Sequence, residues 1–363
     1  MVSDLVNVRY LTGFTGSNAA LLVFADDTPP VLATDSRYRT QAARQAPDLH
    51  AVIERACGRH LIGRATRAGA RRIGFESHIV TVDGFDALSR DLTGQHGDAS
   101  VSGAELMRAS GAEPVRASGA VLVRASGTVE ALREVKDAGE VALLRLACEA
   151  ADAALAALID RGGLRPGRTE KAVARELEAL MLEHGADGPS FETIVAAGEN
   201  SAVPHHRPTD AVLDQGDFVK IDFGALVAGY HSDMTRTFVL GAAADWQREI
   251  YAAVAAAQQA GVDALESGAQ LGEVDRAARH VIAEAGYGDF FGHGLGHGVG
   301  LQIHEAPGIN SAAAGTLRAG SAVTVEPGIY LAERGGVRIE DTLVVGARGP
   351  EQLTRFPKNL AIL

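Results

Sequence analysis

The sequence predicts an α+β protein: a smaller α/β unit over residues 1–127, then a larger unit over 128–363 made of two related helix-helix-hairpin halves. Two internal repeats and one alternation of element types carry this expectation. The stretch Leu213–Gly241, LDQGDFVKIDFGALVAGYHSDMTRTFVLG, has a second version at Leu317–Gly346, LRAGSAVTVEPGIYLAERGGVRIEDTLVVG. The segments ahead of these stretches also repeat, with Leu164, Gly167, Val173, Arg175 and Gly185 matching Leu265, Gly268, Val274, Arg276 and Gly286 at an offset of 101 residues. In the first unit, strand-like runs alternate with helix-like ones, the pattern of an α/β domain.

Taken in order, NAALLVFADD and PPVLATDSR read as strands, with RYRTQAARQA a helix after them. RRIGFES reads as a further strand and TVDGFDALSRDL as a helix opening at Thr81 or Asp83. The chain thus begins almost at a strand. Between Arg108 and Gly127 the tetrapeptide RASG occurs three times; it is too short for a structural array and reads as strand and turn at a domain edge. From Thr128 the composition turns to Ala, Leu, Glu and Arg, and VEALREVKDAGEVALLRLACEAADAALAALID reads as one long helix stopped by Gly162–Gly163. Helix 169–184 follows, with Thr169 as N-cap and Gly185 just past its end. Helices near 244–266 and 272–285 repeat that arrangement.

Each repeated stretch reads as a β-hairpin with β-branched arms and a Gly-bearing turn, at Gly229 and at Gly335–Gly336. The period of two along a strand puts Val219, Ile221 and Phe223 on one face and Asp222 on the other. Glu326 falls at the equivalent place in the second copy. A further carboxylate stands two residues before a threonine in each copy, Asp233 with Thr235 and Glu340 with Thr342. Facing hairpins bring all four acids together, and crowded, partly buried carboxylates resist ionisation unless cations accompany them.

Phe290–Glu305, FFGHGLGHGVGLQIHE, supplies histidines. Glycine at every second position from 292 to 300 is costly in a helix, so the segment reads as extended, with another backbone close against its glycine face. It has neither a dinucleotide-binding nor a phosphate-loop register. A histidine with four carboxylates is a hard, oxygen-rich ligand set, suited to Mn²⁺ and accommodating Co²⁺ or Zn²⁺. A further pair, His205 and His206, lies in ENSAVPHHRPTD; adjacent strand residues point oppositely, so at most one of them faces the site.

These segments, KIDFG…YHSDMTRT, HGLGHGVGLQIHE, TVEPGIY and VRIED, resemble those of the family of aminopeptidase P, prolidase, creatinase and methionine aminopeptidase, the pita-bread fold. NVRYLTGFTGSNAALLV and ATDSRYRTQA resemble the domain that precedes the catalytic one in aminopeptidase P and prolidase. Methionine aminopeptidase lacks that domain, and creatinase lacks the metal set, which disfavours both. The resemblance implies two divalent ions: Asp222 on one, Asp233 and Glu340 bridging both, His297 and Glu326 on the other. It implies a hydroxide shared by the ions, Glu326 as proton carrier, His205 and His304 on the carbonyl oxygen and tetrahedral intermediate, and His293 and Arg338 positioning substrate or the ligands' partners. The activity implied is hydrolysis of the Xaa-Pro bond at the N-terminus of peptides with proline in second position. The alternative is an Xaa-Pro dipeptidase, which must recognise a free carboxylate, often through arginine; the interval Glu305–Gly320 offers only Arg318. A non-catalytic peptide-binding relative is disfavoured because no ligand is missing. Similar enzymes pair through the first domain, so a homodimer is expected. The chain is shorter at its start than members of that family.

Composition excludes other classes. A formal charge of −12 argues against nucleic acid and anionic membrane surfaces. No apolar run approaches the ~20 residues of a membrane span, and the first residues lack a signal-peptide layout. Cys57 and Cys148 are too few for a disulfide framework and suit a reducing cytoplasm.

Overall fold

The computed structural model describes residues 1–93 and 119–363, in two compact units, Met1–Ala131 and Leu132–Leu363. The first unit runs α1 (Leu5–Thr12), β1 (Ala19–Leu22), β2 (Val31–Thr34), α2 (Arg39–Gln45), β3 (His50–Ile53), α3 (Cys57–Arg67), β4 (Arg72–Phe75), α4 (Val82–Thr93) and β5 (Val121–Arg124). Strand β2 pairs antiparallel with β1 and parallel with β3, and β4 pairs parallel with β5. Helix α3 turns Cys57, Leu61, Ile62 and Ala65 into a core shared with Ala20, Leu22, Val31, Ala33 and Ile73. The strand-first reading of the N-terminus missed α1. Its signals are local: Asp4 accepts from the Val6 and Asn7 amides at the start, and Gly13 ends it at φ 74°. The first RASG copy and most of the second lie outside the described residues; the third closes β5 and turns at Gly127, φ 71°.

The single long helix expected after Thr128 is two helices, α5 (Glu130–Arg133) and α6 (Ala138–Asp160). Asp137 restarts the helix through a capping box. Its carboxylate accepts from the Glu140 amide at 2.9 Å, and the Glu140 carboxylate accepts from the Asp137 amide at 2.9 Å. The break frees Arg133 and Lys136 to pair with Glu305, a residue that follows His304.

The rest of the second unit comprises α7 (Glu170–Glu183), β6 (Gly188–Pro189), β7 (Ile194–Ala197), β8 (Phe218–Phe223), β9 (Ala225–Val227), β10 (Tyr230–His231), β11 (Met234–Val239), α8 (Asp245–Asp263), α9 (Leu271–Glu284), β12 (Gly296–Gly298), β13 (Glu305–Ile309), β14 (Ala322–Val325), β15 (Gly328–Leu331), β16 (Gly335–Arg338), β17 (Asp341–Val344) and β18 (Glu351–Gln352). The halves correspond element by element. Helix pair α6–α7 matches α8–α9, and the antiparallel run β7–β8–β11 matches β12–β14–β17. Even the helix leads agree: Gly167 donates to the Leu213 carbonyl at 2.9 Å, and Gly268 to the Leu317 carbonyl at 2.9 Å.

Each hairpin is split at its carboxylate into inner and outer pairs. Strands β8 and β11 pair in one, with β9 and β10 beyond Gly224; β14 and β17 pair in the other, with β15 and β16 beyond Pro327. The split lets each arm bend around the acid it carries. The hairpins meet where Glu340 donates its amide to the Thr235 carbonyl at 3.1 Å, and Thr342 Oγ1 donates to the Asp233 carbonyl at 2.8 Å. Strand β8 is buried on both faces, so the face carrying Lys220 and Asp222 looks into the joint between halves, away from solvent. Two apolar clusters, one on each half, hold the helices to the strands.

Close backbone approach at the split predicts a specific intolerance. A Cβ at Gly224 would lie 1.8 Å from the Ser232 carbonyl oxygen, whereas one at Gly292 meets nothing within 4 Å. Gly224→Ala is expected to cost about 1–3 kcal/mol or more in urea unfolding, against roughly 0.5 kcal/mol or less for Gly292→Ala. Equal midpoints for the two variants contradict the close packing.

Candidate metal centre

Nine side chains singled out from the sequence line one cavity of about 260 Å³: His205, Asp222, Asp233, His293, His297, His304, Glu326, Arg338 and Glu340. Each arrives from a different point of the duplicated scaffold. Asp222 is near the end of β8, Asp233 precedes β11, Glu326 follows β14 and Glu340 precedes β17. His297 sits at the centre of β12, between two glycines that admit flanking backbones: a Cβ at Gly296 would stand 2.0 Å from the Thr324 carbonyl oxygen, and one at Gly298 2.2 Å from that of Ala306. The alternating glycines therefore let a short strand press between β13 and β14.

Asp233, His297 and Glu340 offer ligand atoms that all lie within 4.8 Å of one another. His297 Nε2 stands 3.5 Å from Asp233 Oδ2 and 3.4 Å from Glu326 Oε1. Asp222 flanks this group. Its Oδ2 accepts from Arg338 Nη2, and its Oδ1 is buried with no hydrogen-bond partner. A buried carboxylate oxygen without a donor is costly unless a cation completes it.

The electrostatics point the same way. Burial, then the charges of Glu340, Asp222 and Glu326, push the Asp233 carboxyl well above its ordinary range. Burial and the charges of Glu326 and Asp222 do the same to Glu340. Glu326 is lifted to about 7 by burial, against the opposing pull of Arg338. Burial lowers His297 to about 4, which keeps its imidazole in the neutral form that ligates metals. Acceptor-rich, proton-retaining and held by neutral imidazole, the donor set fits divalent cations.

Partners of the ligands are built into the strands. Thr235 Oγ1 donates to Glu340 Oε2 at 2.7 Å, and the imidazole Nδ1 of His297 lies 3.0 Å from the Gly298 carbonyl oxygen. Arg338 is 2 % exposed. Besides Asp222 it donates to Thr235 Oγ1 at 3.0 Å, the Pro204 carbonyl at 3.2 Å and the Tyr330 hydroxyl at 2.9 Å. Tyr330 OH also stands 2.9 Å from His293 Nε2. His293 is lowered to about 4 by burial and then by Arg338. His304 packs edge-on against His297, ring centroids 4.4 Å apart. His205 lines the cavity while its neighbour His206 turns away to Glu170, 2.8 Å from Oε2. Arg318 lies elsewhere, exposed and 3.8 Å from Glu134.

The sequence reading missed several residues that shape this cavity. Phe191, Ile194 and Ile303 give it an apolar wall. Lys220, fully buried, donates to the Ser201, Val203 and Pro204 carbonyls at 3.0, 2.7 and 3.4 Å. Its position on the carboxylate's face of β8 is the one signal that marked it as interior, and KID reads more naturally as a solvated strand.

The raised carboxyls make a stability prediction for protein stripped of divalent ions. Groups whose folded pKa exceeds the unfolded one stabilise below the ordinary carboxylate range and lose that contribution as pH rises through the folded value. For Glu326 the window runs from the ordinary carboxylate value to about 7. Relative to Glu326→Gln, the stripped wild type should lose on the order of 3 kcal/mol between about pH 5 and pH 8. Millimolar Mn²⁺ should restore it. Thermal melts of both proteins at the two pH values check this; a constant gap contradicts it.

Comparison with known proteins agrees with this architecture. Residues 142–347 match the metallopeptidase family M24 and residues 1–111 the creatinase/prolidase N-terminal domain. The uncharacterized peptidase YqhT of Bacillus subtilis is 40% identical over 367 residues, covering 100% of this chain and 95% of its own. The structure of an Xaa-Pro dipeptidase from Bacillus anthracis is similar at a TM-score of 0.88 and 37% identity, over 100% of this chain and 94% of that one. An X-Pro aminopeptidase from Thermotoga maritima is similar at 0.85 and 32%, over 99% and 94%. The duplicated unit has the pita-bread fold, and the chain belongs to metallopeptidase family M24.

Proposed function

We propose that this metallopeptidase hydrolyses the Xaa-Pro bond at the N-terminus of peptides, as aminopeptidase P does, with two divalent ions, Mn²⁺ foremost. The observation that supports it is the single cavity in which four carboxylates and His297 converge beside an apolar wall of Phe191, Ile194 and Ile303. That wall suits a pyrrolidine ring. Asp222, Asp233, His297, Glu326 and Glu340 would hold the ions. Divalent ions held there acidify water and polarise the scissile carbonyl.

The chain's own residues do the rest. Glu326 takes the proton that water gives up and passes it to the leaving nitrogen. That nitrogen is a tertiary amide in an Xaa-Pro bond and departs only once protonated. His205 and His304 donate hydrogen bonds to the carbonyl oxygen as it gains charge. Burial, and then Arg338, lower the His205 pKa, which keeps its imidazole neutral at working pH. Arg338 fixes Asp222, and through Tyr330 it fixes His293, which positions the substrate.

Dipeptidase activity is the second reading, and the similarity to the Bacillus anthracis Xaa-Pro dipeptidase favours it. Against it stands the arginine count at the cavity. Among the described residues lining it the guanidinium of Arg338 is engaged by four protein partners, and Arg318 does not reach it. We further propose a homodimer, on the resemblance of the first unit alone, and a reducing cytoplasmic setting, in keeping with free, buried Cys57 and Cys148. Among the described residues no helix is long and apolar enough to cross a membrane.

Cleavage of Ala-Pro and Ala-Pro-Gly in parallel separates the readings. The tripeptide should be cut at least as well, and a preference of more than about tenfold for the dipeptide reverses the choice. His205→Ala and His304→Ala should each lower kcat by about 10²–10³ with little change in KM. Unchanged kcat in both removes them from the reaction.

A further inference from the structure

The loop that carries His205 is closed on one buried carboxylate outside the metal centre. Glu170 is the first residue of α7, just after the Thr169 cap, and is 0% exposed. Its Oε1 accepts from the Ala197 amide at 2.9 Å and from Asn200 Nδ2 at 3.0 Å, where the loop begins. Its Oε2 accepts from the Thr209 amide and hydroxyl, each at 2.8 Å, and stands 2.8 Å from His206 Nε2, where the loop ends. Five groups from both ends of a thirteen-residue excursion thus share one side chain. Burial alone would raise the Glu170 pKa, but these donors outweigh it and hold it below the ordinary range.

Between the pinned ends, Lys220 and Arg338 hold the carbonyls of Ser201, Val203 and Pro204. His205 comes next in the chain, and among the described residues its ring makes no protein hydrogen bond. With no hydrogen bond to hold the imidazole, its aim depends on how the backbone is set on its two sides. Upstream that is Pro204; downstream it is His206, and His206 is held by Glu170.

We propose that Glu170 is a positioning residue that sets the aim of His205 into the cavity. The inference rests on the role given to His205 in the reaction proposed above. A glutamine at 170 keeps the shape but replaces one acceptor oxygen by a donor, facing groups that themselves donate, so one end of the loop comes free. Aspartate keeps the charge but is shorter.

Two arms test it, with melting temperature and bound metal measured alongside. In the first, protein labelled at histidine Cε1 and loaded with diamagnetic Zn²⁺ is observed by NMR, the His205 signal being assigned by its loss in His205→Ala. The His205 resonance should shift or broaden in Glu170→Gln and in the milder His206→Leu, while that of His297 stays in place. An unmoved His205 signal in both variants overturns the proposal whether or not the protein cleaves anything. In the second, Glu170→Gln should lower kcat for Ala-Pro-Gly by about ten- to a hundredfold, with KM and metal content unchanged and with partial recovery in Glu170→Asp. On a His205→Ala background the same substitution should add almost nothing. A loss that adds in full shows that Glu170 acts by another route. If wild-type protein cleaves no Xaa-Pro peptide, the proposed function fails, and the spectrum still decides the positioning role.

Discussion

Four carboxylates and an imidazole share one buried space, and the mutual repulsion of the carboxylates is the constraint around which the second unit is arranged. No apolar packing gain excuses such a cluster. The scaffold tolerates it by setting donors against individual oxygens, Thr235 on Glu340 and Arg338 on Asp222, and by leaving Asp222 Oδ1 to something positively charged. Protonation and cation binding are the two ways to relieve what remains. Lifted carboxyl pKa values and a fit to divalent ions are therefore one fact seen at two pH values.

Duplication explains how a chain brings these groups together without a dedicated element for each. Every half contributes a bent hairpin with an acid at the split and another before its returning strand. Edge contact between hairpins, Thr235 with Glu340 and Thr342 with Asp233, then joins the two sets. Glycine does the complementary work in β12, where side chains other than His297 would collide with the backbones on either side. Strength at the site comes from strands, whereas His205 and His304 ride on loops that need separate anchors: Glu170 and Lys220 for one, Arg133 and Lys136 acting through Glu305 for the other.

Much of this was legible because repetition is a sequence-level property. Matching glycines and acids at slowly drifting offsets place the four carboxylates before any strand is assigned, and the alternating glycines around His297 identify an extended segment. Other features depend on tertiary context. Lys220 and Glu170 are charged residues in places where solvent exposure is the ordinary expectation, and only the folded loop shows what they hold. Phe191, Ile194 and Ile303 are unremarkable apolar residues until the cavity gives them a common wall. The break between α5 and α6 and the helix α1 rest on short local caps, Asp137 with Glu140 and Asp4 with Gly13, which leave little periodic signal beside the longer runs around them.

We propose that this space holds a pair of cations between Asp233 and Glu340. Anomalous diffraction from crystals grown with Mn²⁺, collected on either side of the manganese edge, tests it most directly. Two peaks per chain are predicted, both contacting Asp233 and Glu340, one beside Asp222 and the other beside His297 and Glu326. No peak in the cavity, or manganese bound elsewhere on the chain with these carboxylates turned apart, would contradict the account.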